Sequence, residues 1–264
     1  QINLRDIGAS QSGRLWAISN PTGQVFYRDP GSSRWQVTSI VNASRIDGGQ
    51  GNNCYIVTTT GTVIFYSDIS GTSTIYTVSS GNNATDVGSD WTGRPYIIAN
   101  GGRIYQYSGT GSGTAGSAAW TQVGASTNNY RIDGNPSNGN MAVLKTDDNI
   151  YTITASGVET NLGKAAGSDV DPYDVAVDVN GVVFGNFDIN FGGYVSRWTG
   201  SAWGALEVTS RKSQAITAGL GGQVWSIVGG ASASLLAPWG NIFTRANDGT
   251  NIFWIDDERV RTSP

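Results

Sequence analysis

Apolar runs of two to four residues alternate with turns rich in Gly, Asn, Ser and Thr along the whole chain. The runs recur in a fixed order: a short strand, a turn, an apolar strand, a turn, an aromatic strand, a turn and a fourth strand. The anchor of each unit is an aliphatic residue followed nine positions later by a large apolar one. The pairs are Ile7 and Trp16, Ile46 and Tyr55, Val87 and Tyr96, Ile132 and Met141, Val175 and Phe184, and Ile216 and Trp225. Successive first anchors lie 39, 41, 45, 43 and 41 residues apart. A third, aromatic strand follows each time, as in Val25-Phe26-Tyr27, Ile64-Phe65-Tyr66 and Ile150-Tyr151-Thr152-Ile153. A fourth often opens on an aromatic, as in Trp35-Gln36-Val37, Trp120-Thr121-Gln122-Val123 and at Trp203.

Self-similarity at a period of about 42 residues, with four strands per unit, is the size of one β-propeller blade. Strands buried on both faces read as nearly continuous apolar runs. The pattern predicts an all-β chain folded as a single six-bladed β-propeller over 1–264, four antiparallel strands per blade. The blades fall near 1–41, 42–81, 82–126, 127–168, 169–211 and 212–264. A sandwich or irregular barrel would not repeat one unit six times, and a solenoid would use shorter, more uniform units. The first blade opens on its innermost strand near Leu4–Ala9. The sixth ends on its outermost strand near Asn251–Asp256.

Composition sharpens this picture. Glycine supplies 37 of 264 residues, while charged residues are only 14%, against a typical ~25%. Tight turns between short strands account for that balance. Aromatics reach 10% with nine Trp, which argues against a disordered chain. Histidine is absent, so the commonest general base and neutral metal ligand are missing. A Ser-His-Asp triad is impossible. Sixteen basic and 20 acidic residues leave a formal charge of −4. That argues against nucleic acid and against an anionic membrane surface. No apolar run reaches the ~18 residues of a membrane-spanning helix. Thirteen of the basic residues are Arg, the side chain suited to fixed planar acceptors; genome base composition explains the same bias.

Cys54 is the single cysteine, so no intramolecular disulfide forms, which leans towards the cytosol. The sequence begins at Gln1 without Met, as a processed chain would. The triplets Asn42-Ala43-Ser44 and Asn83-Ala84-Thr85 are glycosylation acceptors. Together these favour an extracellular, secreted protein over a cytoplasmic one.

Three registers carry candidate chemistry. Four residues before the first anchor stand Asn3, Asn42, Asn83 and Asn128, with Asp171 and Lys212 in the other two units. Asn there either contacts a ligand or simply serves the turn that enters the innermost strand. Beside the anchor stand Asp6, Asp47, Asp86, Asp133 and Asp174, with Arg5, Arg45 and Arg131 close by. These predict a ring of Asp and Arg near the axis, with pairing between blades as its structural reading. Carboxylates repeated with the fold are poor candidates for a single catalytic centre. Finally, Trp91, Trp198 and Trp239 break the repeat; each either stacks on a sugar or packs on neighbouring turns. The stretch Asp169-Val170-Asp171-Pro172-Tyr173-Asp174 offers oxygens but lacks the spacing and glycine of a calcium loop, so neither metal nor cofactor is expected.

Asp6-Ile7-Gly8 followed by Gly13-Arg14-Leu15-Trp16-Ala17-Ile18 resembles the tectonin repeat. Asp86-Val87-Gly88 followed by Gly93-Arg94-Pro95-Tyr96-Ile97-Ile98 does too, and Ile216, Gly222, Val224 and Trp225 match it. The fourth and fifth units match poorly, with Met141 in place of Trp and Gly185-Asn186 interrupting the motif. The period covers the whole chain, the motif three or four copies. Val25-Phe26-Tyr27-Arg28 also bears a faint resemblance to fucose-binding six-bladed lectins. The resemblance implies a six-bladed, multivalent lectin without catalytic activity. Its partners would be cell-surface or free saccharides, bound at Asn3, Asn42, Asn83, Asn128, Arg5, Arg45, Arg131, Trp91, Trp198 and Trp239. A protein-binding scaffold is the alternative, and a propeller hydrolase or lyase a remoter one. Glu159, Glu207 and Glu258 are the only glutamates, and none stands in an innermost strand. Oligomeric state is not legible in the sequence.

Overall fold

A computed structural model of the 264-residue chain describes residues 3–32, 34–67, 73–76, 83–90, 92–108, 119–135, 138–165, 170–189, 192–208, 213–219, 223–228, 241–247 and 252–259. They form strands and turns arranged as a β-propeller. Among the described residues, twenty-four strands make six sheets of four, each antiparallel and each contiguous in sequence. The innermost strands are Asn3–Ala9, Ala43–Gly48, Asp86–Ser89, Asn129–Gly134, Asp171–Val177 and Ser213–Ala218. The first sheet opens on its innermost strand. The sixth closes on Ile252–Arg259, its outermost.

In every sheet but the fourth, the two anchors of a pair enter different inter-sheet cores, one on each face. Trp16, Ile46 and Ile56 meet between the first and second sheets; Tyr55, Val87 and Trp120 between the second and third. Tyr96, Ile132 and Met141 fill the next gap. Val175 and Phe187 pack on Leu144 and Ile150, and Phe184 packs on Ile216 and Val224. Leu4, Ile7 and Trp35 meet Ala215 and Trp225, joining the sixth sheet to the first. All twelve anchor side chains are buried, so Met141 does the work of Trp. Burying such a side chain is worth about 1.5–3 kcal/mol. The inner strands read as unbroken apolar runs because each sheet has a neighbour on both faces.

Gly185-Asn186 does not interrupt the fifth sheet. Val183–Ile189 runs through it as one strand, with Asn186 buried and paired to Asp174 in register. The sequence places the fifth sheet's fourth strand at Trp203. In the structure that strand is Glu207–Val208, and Trp203 makes only an isolated bridge to Trp198.

Five innermost strands carry a bulge two residues before the anchor, as between Leu4 and Asp6 and between Ala43 and Arg45. A bulge re-aims the following side chains. Here the residue just before the anchor turns towards the axis.

Candidate functional site

The acid register resolves into two alternating layers around the axis. Odd-numbered sheets carry Asp one residue before the anchor: Asp6, Asp86 and Asp174. The second and fourth sheets carry Arg there and Asp one residue after: Arg45 and Asp47, Arg131 and Asp133. The sixth has Ala215 and Thr217 at those places. Every one of these acceptors takes a backbone N–H from the next sheet. Asp6 Oδ2 accepts from Ile46 at 2.9 Å, Asp86 Oδ2 from Ile132 at 2.9 Å, and Asp174 Oδ2 from Ile216 at 2.9 Å. Asp47 Oδ2 accepts from Ser89 at 2.7 Å and Asp133 Oδ2 from Val177 at 2.7 Å. Thr217 Oγ1 accepts from Ala9 at 3.0 Å and completes the circle. Gly8, Gly48, Gly88 and Gly134 let these strands approach; a Cβ on Gly8 would lie 2.7 Å from Asp47 Cα.

Arg45 spans Asp6 at 3.8 Å and Asp86 at 3.9 Å, and Arg131 reaches Asp174 at 3.8 Å. Burial still dominates the carboxyls. It pushes Asp6 up to about 7 against the pull of Arg45, Asp174 up to about 6 against Arg131, and Asp47 up to about 8. Asp133 is held well above the ordinary carboxylate range by burial and by the neighbouring Asp47. The cavity left among these groups is about 20 Å³, which holds a water or so. The axis is a packed polar core. Among the described residues no group of three or more Cys, Asp or Glu is placed to hold a metal, and no helix is long and apolar enough to cross a membrane.

Arg5 does not join this ring. It is the extra residue of the first bulge, and its guanidinium donates to Ala43 O at 3.5 Å and Asn20 Oδ1 at 3.3 Å. Trp198 lies against Trp203 with ring centres 5.5 Å apart, and the Trp203 indole donates to Leu162 O of the fourth sheet at 3.0 Å. Trp198 is therefore half-buried packing at the fourth–fifth junction. Trp91, Trp239 and Lys212 lie outside the described residues. Asn3 opens the first strand, and its side chain is also outside them.

Three of the four Asn share one arrangement. Asn42 and Asn128 have φ of 61° and 63°, the left-handed region that Asn tolerates. Each turn docks on a glycine turn of the preceding sheet. Ala43 N donates to Gly23 O at 2.9 Å, Ala84 N to Gly61 O at 3.1 Å, and Asn129 N to Gly102 O at 3.2 Å. A side chain on Gly23, Gly61 or Gly102 would strike the incoming Asn-containing backbone. Asn42 O and Asn128 O also accept from Thr59 N and Thr146 N at 2.8 and 2.9 Å. The backbone of this register is thus a joint between sheets. The side chains of Asn42, Asn83 and Asn128 remain exposed.

Asn83 and Asn128 flank an open cleft of about 640 Å³ between the third and fourth sheets. Thr85, Asn100, Gly101, Tyr130, Arg131 and Thr146 share its walls, and no carboxylate lines it. Arg131 therefore faces both regions. Its NH1 donates to Tyr130 O at 2.8 Å, and the guanidinium lies 5.4 Å from the Tyr130 ring centre. The repeated registers in the sequence point to Asn83, Asn128 and Arg131 but not to Asn100, Tyr130 and Thr146. The signal for them is Gly101, where the described counterpart turns carry Thr22, Thr60 and Asp147.

No protein-family model matches the chain, and no curated protein matches its sequence. Solved structures match its fold. An inactive histidine-to-alanine variant of virginiamycin B lyase from Staphylococcus aureus, with quinupristin, has a TM-score of 0.64 at 14% identity, covering 97% of this chain and 85% of its own. YCF48 from Cyanidioschyzon merolae has a TM-score of 0.57 at 12% identity, over 96% and 85%; another YCF48 structure is bound to D1 peptide. The propeller domain of Cps50 (Swd1) from Myceliophteria thermophila reaches 0.58 at 11% identity, over 86% and 80%. At such identities the likeness is one of fold.

Proposed function

We propose that the protein is a non-catalytic, glycan-binding propeller of the tectonin type, its six sheets acting as six blades, and that it works outside the cell. The observation that carries this is the repeated, exposed amide of Asn42, Asn83 and Asn128 at equivalent inter-sheet turns. Amides and hydroxyls donate and accept together, as sugar hydroxyls require. The five repeated carboxylates each hold a backbone N–H of the next sheet at the packed axis. The similar lyase is inactive when a histidine becomes alanine, and this chain has no histidine. Binding of D1 peptide by a similar propeller favours a peptide ligand as the second reading. The test is an array of immobilised neutral and acidic glycans. The expected result is retention on a subset of glycans, stronger on dense surfaces than for free sugar because several clefts engage at once. A blank array alongside binding to immobilised peptides would replace the lectin reading with the second one.

A further inference from the structure

We propose that the cleft between the third and fourth sheets is the principal saccharide site of the ring and takes one neutral sugar residue. This rests on the glycan reading above and assigns it to one place. Its volume of about 640 Å³ lies in the range of small-ligand sites, ~300–1,000 Å³. The axial cavities, at about 20 Å³ each, do not.

The asymmetry has a cause in the sequence. The hairpin facing this cleft turns through Asn100-Gly101-Gly102, with φ of 50°, 76° and 82°. Its counterparts turn through Pro21-Thr22-Gly23 in the first sheet, Thr59-Thr60-Gly61 in the second and Thr146-Asp147-Asp148 in the fourth. Those turns place side chains where this one has none. A Cβ on Gly101 would have nothing within 4 Å. The missing side chain is the opening.

The walls fix the chemical class. Asn83, Asn100, Asn128, Thr85, Thr146 and the half-buried Tyr130 line the opening; Asn100 Nδ2 donates to Tyr105 Oη at 3.1 Å and Thr85 Oγ1 to Ile98 O at 3.2 Å, which leaves the oxygens of both to accept. Tyr130 is anchored by its hydroxyl, which donates to Pro172 O at 3.2 Å. Arg131 is the one charged residue among the lining, and it is engaged by Asp174, by Tyr130 O and by the Tyr130 ring. An acidic sugar would find no uncommitted cation. A neutral sugar would find donors and acceptors on both sides.

The experiment uses Gly101→Asn. Asn tolerates a left-handed backbone, and the open space accepts its side chain, so the fold survives while the cleft is filled. Gly31→Asn is the control, because Gly31 has φ of 74° and equally open surroundings on an outer turn. Methyl glycosides of glucose, galactose, mannose, fucose and N-acetylglucosamine are titrated by calorimetry, beside thermal melts of each variant. The expected result is one tighter site beside weaker ones in the parent chain, the tighter site weakened by at least about tenfold in Gly101→Asn as its polar partners are blocked, with Gly31→Asn and both melts unchanged. Undiminished binding by Gly101→Asn overturns the assignment and leaves the glycan reading standing. Equal loss in Gly31→Asn, or binding confined to sialylated or sulfated glycans, overturns it too. A parent chain that binds no glycoside and no arrayed glycan fails the glycan reading itself.

Discussion

The second and fourth sheets and the sixth meet the axis at the same positions with different chemistry. Arg45-Ile46-Asp47 and Arg131-Ile132-Asp133 present a cation and a carboxylate, whereas Ala215-Ile216-Thr217 presents neither. Yet Thr217 accepts a backbone N–H of the next sheet as Asp47 and Asp133 do. What the ring keeps constant is the acceptor. A strand end turned towards the axis has an N–H with no partner in its own sheet, and an unmet buried donor costs about 1–3 kcal/mol. Charge is the variable part, and it brings its own requirement. The three carboxylates that precede their anchors, Asp6, Asp86 and Asp174, form an upper layer above Asp47 and Asp133 and share two guanidiniums, and the place of a third is taken by Ala215.

The hardest test of that distinction removes the acceptor where charge is densest. Asp86 bonds Ile132 N and lies between Arg45 and Arg131. Asp86→Ala leaves the N–H unmet and two buried guanidiniums short of a counterion. We expect a loss of about 3–5 kcal/mol, the cost of breaking a buried charged pair, measured by equilibrium urea unfolding. A loss below about 1 kcal/mol would mean that apolar packing between sheets holds the ring alone.

A smaller effect separates acceptor from charge. Burial raises Asp6, Asp47, Asp86, Asp133 and Asp174 above the ordinary carboxylate range. The folded chain thus keeps protons that the unfolded chain has lost. Their contribution to stability is complete below pH 4 and drains as pH rises through 6 to 8, by about 1 kcal/mol per pH unit for each proton held. Asp147 and Glu159 shift the other way, but both are near the surface and act only at the acid end. Melting temperature should therefore fall from pH 5 to pH 9. Asp133→Thr copies the sixth sheet into the fourth, keeping an acceptor for Val177 N and removing one buried carboxyl. Its melting temperature should fall less over the same range. A slope identical to the parent's would show that Asp133 does not hold a proton at the axis.

The repeat was legible because each anchor is buried between two sheets, which demands large apolar side chains at fixed intervals whatever their identity. That is why Met141 and Phe184 could be recognised beside Trp16. The ring was half legible. A search for acids finds five acceptors and passes over Thr217, because a hydroxyl does the same job without a charge. Arg5 sits one residue from Arg45's register, and a single bulge sends it to Asn20 instead of the axis. The cleft was least legible. Its Asn residues show as a repeat because they serve a turn, while the opening comes from a side chain that Gly101 does not have. No residue type in a sequence marks a place where atoms are missing.

The smallest effect sharpens the comparison from the other direction. Ala215→Arg would place a third guanidinium between Asp174 and Asp6, as Arg45 stands between Asp6 and Asp86. Ala215 is fully buried, so the longer side chain brings a packing cost of about 1–3 kcal/mol, and overall stability is a poor readout. The pH slope isolates the charge effect, because packing cost does not depend on protonation. Asp6 is held high by burial and by repulsion from Asp174 and Asp86, against the pull of Arg45. A cation beside it lowers the carboxyls that flank the sixth sheet and leaves Asp47 and Asp133 in the lower layer largely as they were. The fall in melting temperature between pH 5 and pH 8 should therefore shrink without vanishing. An unchanged slope would mean that the new guanidinium turns away from the axis, and that Ala215 reflects packing against Leu4 and Trp225 and not a vacant place in the charge pattern.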